Sequence, residues 1–180
     1  NAPHNPLQAT QKYLDRFAHI EHWGRRNYAA MVSAVDDGVG QILQTLSDCG
    51  LDDDTLVFFL SDNGGASNNS SDNGVLRNHK GSLFEGGLRV PFALRWTDTI
   101  PAGTVYTHPI ISLDIMATIT ALAGAEIAPE RPLDGVNLLP FVTNKNKEAP
   151  HDYLFWRKFD HKGVAVRSGD IKLVGDRRMK

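Results

Sequence analysis

Six residues in the sequence have side chains and neighbours suited to handling an anion or a metal: His4, Asp62, Asn63, Lys80, Glu85 and Arg89. Asp62 and Asn63 follow the apolar run of residues 55–60 after a single serine, Ser61. A strand there would deliver both to the carboxyl end of a sheet, the edge at which open α/β folds bind ligands. A carboxylate beside an amide oxygen suits a hard cation such as calcium or magnesium. The same Asp-Asn-Gly-Gly stretch is also made of common turn formers, so the spacing alone leaves both readings open. Lys80, Glu85 and Arg89 lie in the Gly-rich run of residues 79–91. Glycines there permit close backbone approach, and a lysine presents a compact charge to an oxyanion. Any one of these charges is more often a solvated surface group. His4 stands between Pro3 and Pro6, where an imidazole with restricted backbone freedom can donate a proton or bind an anion. The other histidines, His19, His22, His79, His108, His151 and His161, show no His-x-x-x-His spacing, which leaves a multi-histidine zinc site unsupported.

The elements that must position these residues follow from periodicity. Tyr28, Met31, Val32, Val35, Val39, Ile42, Leu43 and Leu46 recur at spacings of three and four, which predicts a helix with one buried stripe over residues 28–46 and Gly50 as its stop. Residues 55–60 form a continuous apolar run suited to a strand covered on both faces in a parallel sheet. The Gly-, Asn- and Ser-rich residues 64–74 predict a loop that folds over something or stays mobile. A second strand is expected over residues 90–96, and a helix over 112–123 with Ser112 as N-cap and Gly124 as stop. Residues 153–157, 163–167 and 170–174 read as three short strands, the last two joined through Ser168-Gly169 in an antiparallel meander. The fold class is therefore α/β with a small antiparallel C-terminal subdomain, divided at about residues 1–145 and 146–180.

Composition narrows the function classes. The 180 residues are 41% hydrophobic and 22% charged, enough for a cored globular domain and too apolar for a disordered chain. A formal charge of -2 gives no net basic field for nucleic acid, so an anionic ligand has to be held by local charges. No apolar run approaches the roughly 20 residues of a membrane span. The single cysteine, Cys49, excludes an internal disulfide framework, and at a predicted helix end it reads as a small buried hydrophobe. Asn68 and Asn69 each begin an Asn-x-Ser sequon.

Four stretches, in this order, resemble the second half of a formylglycine-dependent sulfatase, of the arylsulfatase and N-acetylgalactosamine-6-sulfatase kind. They are the opening Asn-Ala-Pro-His-Asn-Pro-Leu-Gln-Ala, residues 28–40, Ser61-Asp62-Asn63-Gly64-Gly65, and residues 80–91. The resemblance continues through Asp114-Ile115-Met116-Ala117-Thr118 and Leu133-Asp134-Gly135-Val136-Asn137-Leu138. It implies an alkaline-phosphatase-like sheet with flanking helices, present here in part, and hydrolysis of sulfate esters on carbohydrate or aryl substrates. By the same resemblance Asp62 and Asn63 are calcium ligands, Lys80 contacts the sulfate, and His4 contacts the ester oxygen and protonates the leaving alcohol. Glu85 and Arg89 are expected to be scaffold for the Lys80 loop.

The family's nucleophile is a formylglycine made from Cys or Ser in a Cys/Ser-x-Pro-x-Arg motif, preceded by an Asp pair that completes the metal site. These 180 residues hold neither, since Cys49 is followed by Gly50-Leu51-Asp52. The expectation is a C-terminal portion with half a metal site, inactive alone. The resemblance also implies a periplasmic, extracellular or lysosomal location and leaves the oligomeric state open. Two rival readings remain: a phosphodiesterase or another alkaline-phosphatase-superfamily hydrolase, and a non-catalytic carbohydrate-binding or structural fragment. Asn63 weighs against the first, because those enzymes typically place a histidine after the strand-end aspartate to hold a second, softer metal.

Overall fold

The computed structural model describes residues 2–158 and 163–176, so Asn1 of the opening motif and His161 lie outside the described residues. The chain divides into two compact units, one running to residue 93 apart from 56–58, the other comprising 56–58 and the chain from 94 onward.

The first unit contains α1 (Gln11–Arg16), α2 (Trp23–Asp48) and a single turn, α3 (Glu85–Leu88). α2 begins five residues before the expected start, because the His22 side chain accepts the Arg25 N–H at 3.1 Å and caps a first turn that carries no apolar periodicity. It ends where Gly50 was expected to stop it. Gly50 takes φ +67°, its N–H donates to Ser47 O and the Leu51 N–H donates to Leu46 O, the paired bonds of a Schellman motif. Two expectations for α2 are corrected. Of the eight residues of the predicted stripe, Met31 alone is buried, whereas Val32 and Ile42 are 42% and 61% exposed; the buried residues of α2 are Gly24, Asn27, Ala30 and Met31. Cys49 is exposed, since it is the C-cap residue just beyond the solvated last turn of α2. α1 is held to α2 by Arg16, whose guanidinium makes two bonds of 2.9 Å to the Asp37 carboxylate, with Lys12 at 3.4 Å. The Arg16 bonds, reinforced by Tyr13 and Lys12, hold the Asp37 carboxyl well below the usual carboxylate range, at about 2.

β1 (Val57–Leu60) and β2 (Phe92–Arg95) form a two-stranded sheet. Ser61 N–H donates to Pro91 O and Gly64 N–H to Gly87 O, so the chain leaving β1 and the chain entering β2 run in opposite directions. The expected parallel pairing is thus replaced by an antiparallel one. Nor is β1 covered on both faces, with Phe59 42% exposed.

The second unit contains α4 (Leu113–Leu122), α5 (Leu139–Val142) and the strands β3 (Leu154–Arg157), β4 (Gly163–Ser168) and β5 (Ile171–Asp176). β3, β4 and β5 form the expected antiparallel meander, with Trp156 opposite Ala165 and Ala165 opposite Val174. α4 matches its predicted span, but Ser112 makes no side-chain cap. Asp114 does that work from inside the first turn: its buried carboxylate accepts the N–H of Ile111 and of Val136 at 2.9 Å each. His151 Nε2 lies 2.9 and 3.0 Å from the same two oxygens, and the buried Thr118 hydroxyl donates to Asp114 O and accepts from Leu138 N–H. One carboxylate therefore joins α4, the turn before α5 and the approach to β3. Among the described residues no helix is long and apolar enough to cross a membrane.

Candidate functional site

The four residues assigned by sequence, His4, Asp62, Asn63 and Lys80, all belong to the first unit. Asp62 is exposed at the end of β1, and its carboxylate has no hydrogen bond or ion pair among the described residues. Asn63 is half-buried. Its Nδ2 donates to Gly64 O at 3.1 Å, and the Ser61 hydroxyl donates to its carbonyl at 2.8 Å, which leaves the amide Oδ1 as an available acceptor. Two oxygen donors from adjacent residues fit a hard cation by type, but not by number, because calcium takes 6–8. Among the described residues no group of three or more His, Cys, Asp and Glu side chains is placed to hold a metal ion.

The Lys80 loop packs against this strand end through backbone. Gly64 N–H donates to Gly87 O at 3.2 Å, and a Cβ on Gly64 would collide with the carbonyl of Gly86. The approach is thus open to glycine alone. Asn73 clamps the neighbouring residue: its Oδ1 accepts from Gly65 N–H at 2.8 Å and its Nδ2 donates to Gly65 O and Asn78 O at 3.1 Å each. Gly65 O also accepts the Lys80 N–H at 3.0 Å. Glu85 opens α3 and its carbonyl accepts the Arg89 N–H at 2.8 Å, while Gly86 N–H donates to Arg77 O, so the run around Glu85 closes the Lys80 loop. The Lys80 side chain is exposed and makes no hydrogen bond or ion pair among the described residues.

His4 is tied to the other end of the same 64–74 loop. Asn69 Nδ2 donates to Pro3 O at 3.1 Å and Asn5 Nδ2 donates to Asn68 O at 3.3 Å. The His4 ring is exposed, and its Nδ1 lies 2.9 Å from Asn5 O. A carbonyl can only accept, so Nδ1 carries the hydrogen, and Nε2 is the atom that can gain or release a proton. The 64–74 loop, expected either to fold over something or to stay mobile, bonds to the His4 segment on one side and to the Lys80 backbone on the other. Among the described residues no hydrogen bond or ion pair links the four side chains directly to one another. Sequence reasoning missed Asn69 and Asn73, which hold these segments. The signal available was their place in an Asn-rich stretch, but their partners lie elsewhere in the chain. Asn69 is 7% exposed and committed to Pro3 and Ser71, so of the two sequons Asn68 alone is open to solvent.

Residues 1–125 match the family model named Sulfatase. Arylsulfatase A of Bos taurus is 39% identical over 158 residues, covering 84% of this chain and 31% of the relative. Steryl-sulfatase of Homo sapiens is 37% identical over 136 residues, 71% of this chain and 23% of the relative. Among solved structures, Ps i-CgsB in complex with k-i-k-neocarrahexaose superposes with a TM-score of 0.89 at 37% identity, covering 100% of this chain and 40% of that one. The chain thus spans under a third of these two curated relatives. A family match over two thirds of the sequence, carried through the His4, Asp62 and Lys80 segments alike, means that the chain belongs to the sulfatase family.

Proposed function

We propose that these residues form the leaving-group and charge-neutralising part of an enzyme that hydrolyses sulfate esters on carbohydrates. The supporting observation is the Gly65–Asn69 stretch, which bonds both the Lys80 backbone and the His4 segment to the strand end bearing Asp62 and Asn63. In this reading Lys80 Nζ, which has no carboxylate partner among the described residues, binds the non-bridging oxygens of the sulfate. His4, protonated at Nε2, donates to the bridging oxygen as the S–O bond breaks, so the alcohol leaves neutral. Its Nδ1–H bond to Asn5 O fixes the ring for that transfer. Asp62 and Asn63 Oδ1 would hold calcium together with oxygen ligands from outside these 180 residues, and bound calcium supplies further neutralisation of sulfate charge. Formylglycine supplies the oxygen nucleophile from a Cys/Ser-x-Pro-x-Arg motif likewise outside them.

Residues 1–145 then belong to the catalytic α/β domain, and residues 146–180 begin a subdomain whose antiparallel sheet supports that division. An exported setting, periplasmic, extracellular or lysosomal, belongs to the same proposal.

The test is kinetic, in the protein that carries these residues together with the nucleophile. Lys80→Ala and His4→Ala should each lower kcat/KM for an aryl sulfate by at least about a hundredfold. The His4→Ala loss should grow as the leaving alcohol becomes less acidic, whereas the Lys80→Ala loss should not. A His4→Ala loss independent of the leaving group would remove the general-acid role.

A further inference from the structure

Between the first turn of α2 and the loop after β1 lies a wide-mouthed cleft of about 550 Å³, with His22, Arg25, Ser67, Asn68, Ser70 and Asp72 in its walls. This is the size of a small-molecule site, far larger than a single oxyanion needs. Arg25 is fixed in it. One guanidinium nitrogen donates to Ser70 O at 3.0 Å and the group lies 5.3 Å over the Tyr28 ring. Of the five guanidinium N–H groups, those not used on Ser70 have no partner among the described residues. His22 Nδ1 is occupied as acceptor of the Arg25 N–H, so a neutral ring carries its proton on Nε2, which likewise has no partner among the described residues. The N-terminal end of the 26-residue α2 adds positive potential at the same place. Ser70 holds φ +61°, a left-handed conformation rarely kept by a non-glycine residue without local compensation, at the point where Arg25 bonds to it.

Asp72 identifies the kind of ligand. Its Oδ1 accepts the Gly74 N–H at 2.8 Å, and the rest of the carboxylate would repel a bare anion but accept hydroxyl hydrogens. Together with the serines and Asn68, the lining suits a molecule that carries both an anionic group and several hydroxyls. The cleft also shares a wall with the His4 segment, because Asn68 lines it and Asn68 O accepts from Asn5. We infer that this cleft is a second recognition subsite, in which Arg25 and His22 bind a further sulfate on the saccharide whose scissile sulfate is held by Lys80 and His4. The inference rests on the sulfatase reading of those two residues. Arg25 and His22 are then specificity-determining residues for multiply sulfated sugar.

Calorimetric titration of the chain with neocarrabiose carrying one sulfate, and with the same disaccharide carrying two, tests this. The doubly sulfated sugar should bind at least about tenfold tighter, the usual advantage of a charge-assisted bidentate contact. Arg25→Gln should reduce that preference to less than about twofold, and Arg25→Lys should retain part of it. His22→Asn, whose Oδ1 sits where Nδ1 does and can still accept the Arg25 N–H while Nε2 is lost, should lower the preference about threefold, and it keeps the test decisive if Arg25→Gln melts early. Lys80→Ala should weaken both sugars equally and leave the preference intact. An absence of preference in the unaltered chain, an Arg25→Gln preference unchanged, or no binding of either sugar would overturn the subsite. If Lys80→Ala changes neither affinity while Arg25→Gln abolishes the preference, the cleft stands and the sulfate-binding role of Lys80 falls.

Discussion

Lys80 and His4 were readable as candidates in the sequence, a lysine among glycines and an imidazole between prolines, although the roles proposed for them rest on the resemblance to sulfatases. The residues that hold them were not. Asn69 reaches Pro3 across 66 positions, and no short-range pattern encodes that bond. Gly64 lies between these cases, since the Gly-Gly pair suggested a turn but the reason for glycine is the Gly86 carbonyl pressed against it. A methyl group at 64 must displace backbone. Gly64→Ala should therefore destabilise the chain by about 1–3 kcal/mol, the cost of overpacking a tight contact. Gly38→Ala is the control: it lies inside α2 with nothing within 4 Å of its added carbon, and it should stabilise by about 0.5–1 kcal/mol. Denaturant melts of the two variants check both signs, and equal effects would contradict the close-approach account.

At the level of elements, periodicity located α2, α4 and the meander within a few residues, because each exposes a repeating pattern to sequence reading. It failed where neighbours decide. Residues 55–60 are apolar enough for a covered parallel strand, yet the direction of the partner chain is set by the Gly64–Gly87 and Ser61–Pro91 bonds, which join segments tens of residues apart. Asp114 stood in the sequence only as the first residue of the Asp114-to-Thr118 stretch, and its role as a three-way junction depends on Val136 and His151. Asp114→Ala would orphan two N–H groups and a buried imidazole, and should cost about 3–5 kcal/mol in denaturant unfolding. A loss below about 1 kcal/mol would show the junction to be dispensable. The α1–α2 contact makes a pH prediction. The Asp37 carboxyl is lowered to about 2 by Arg16, so its stabilisation is complete above the ordinary carboxylate value and fades as pH falls toward about 2. Amide protection in α1 should fall over that window in the native chain, and not in Asp37→Asn, which lacks the titration. Identical profiles would remove Asp37 as the cause.

At the level of the whole molecule, the order of the motifs made the family visible, and the match over residues 1–125 agrees with it. What composition and spacing could not supply was the completeness of the site. Asp62 and Asn63 give two donors where calcium needs 6–8, and the missing ligands and the nucleophile are chemical requirements that the proposed reaction places outside the described cluster. The central claim is that Asp62, Asn63, Lys80 and His4 serve a sulfate ester and not a phosphate diester. The most direct test compares turnover of a chromogenic aryl sulfate with that of the matching phosphate diester, in the protein that joins these residues to a formylglycine. Sulfate turnover should dominate by at least about a hundredfold in kcat/KM, and the 180-residue chain alone should turn over neither. A preference for the phosphate diester, or sulfate hydrolysis by the chain alone, would contradict the account.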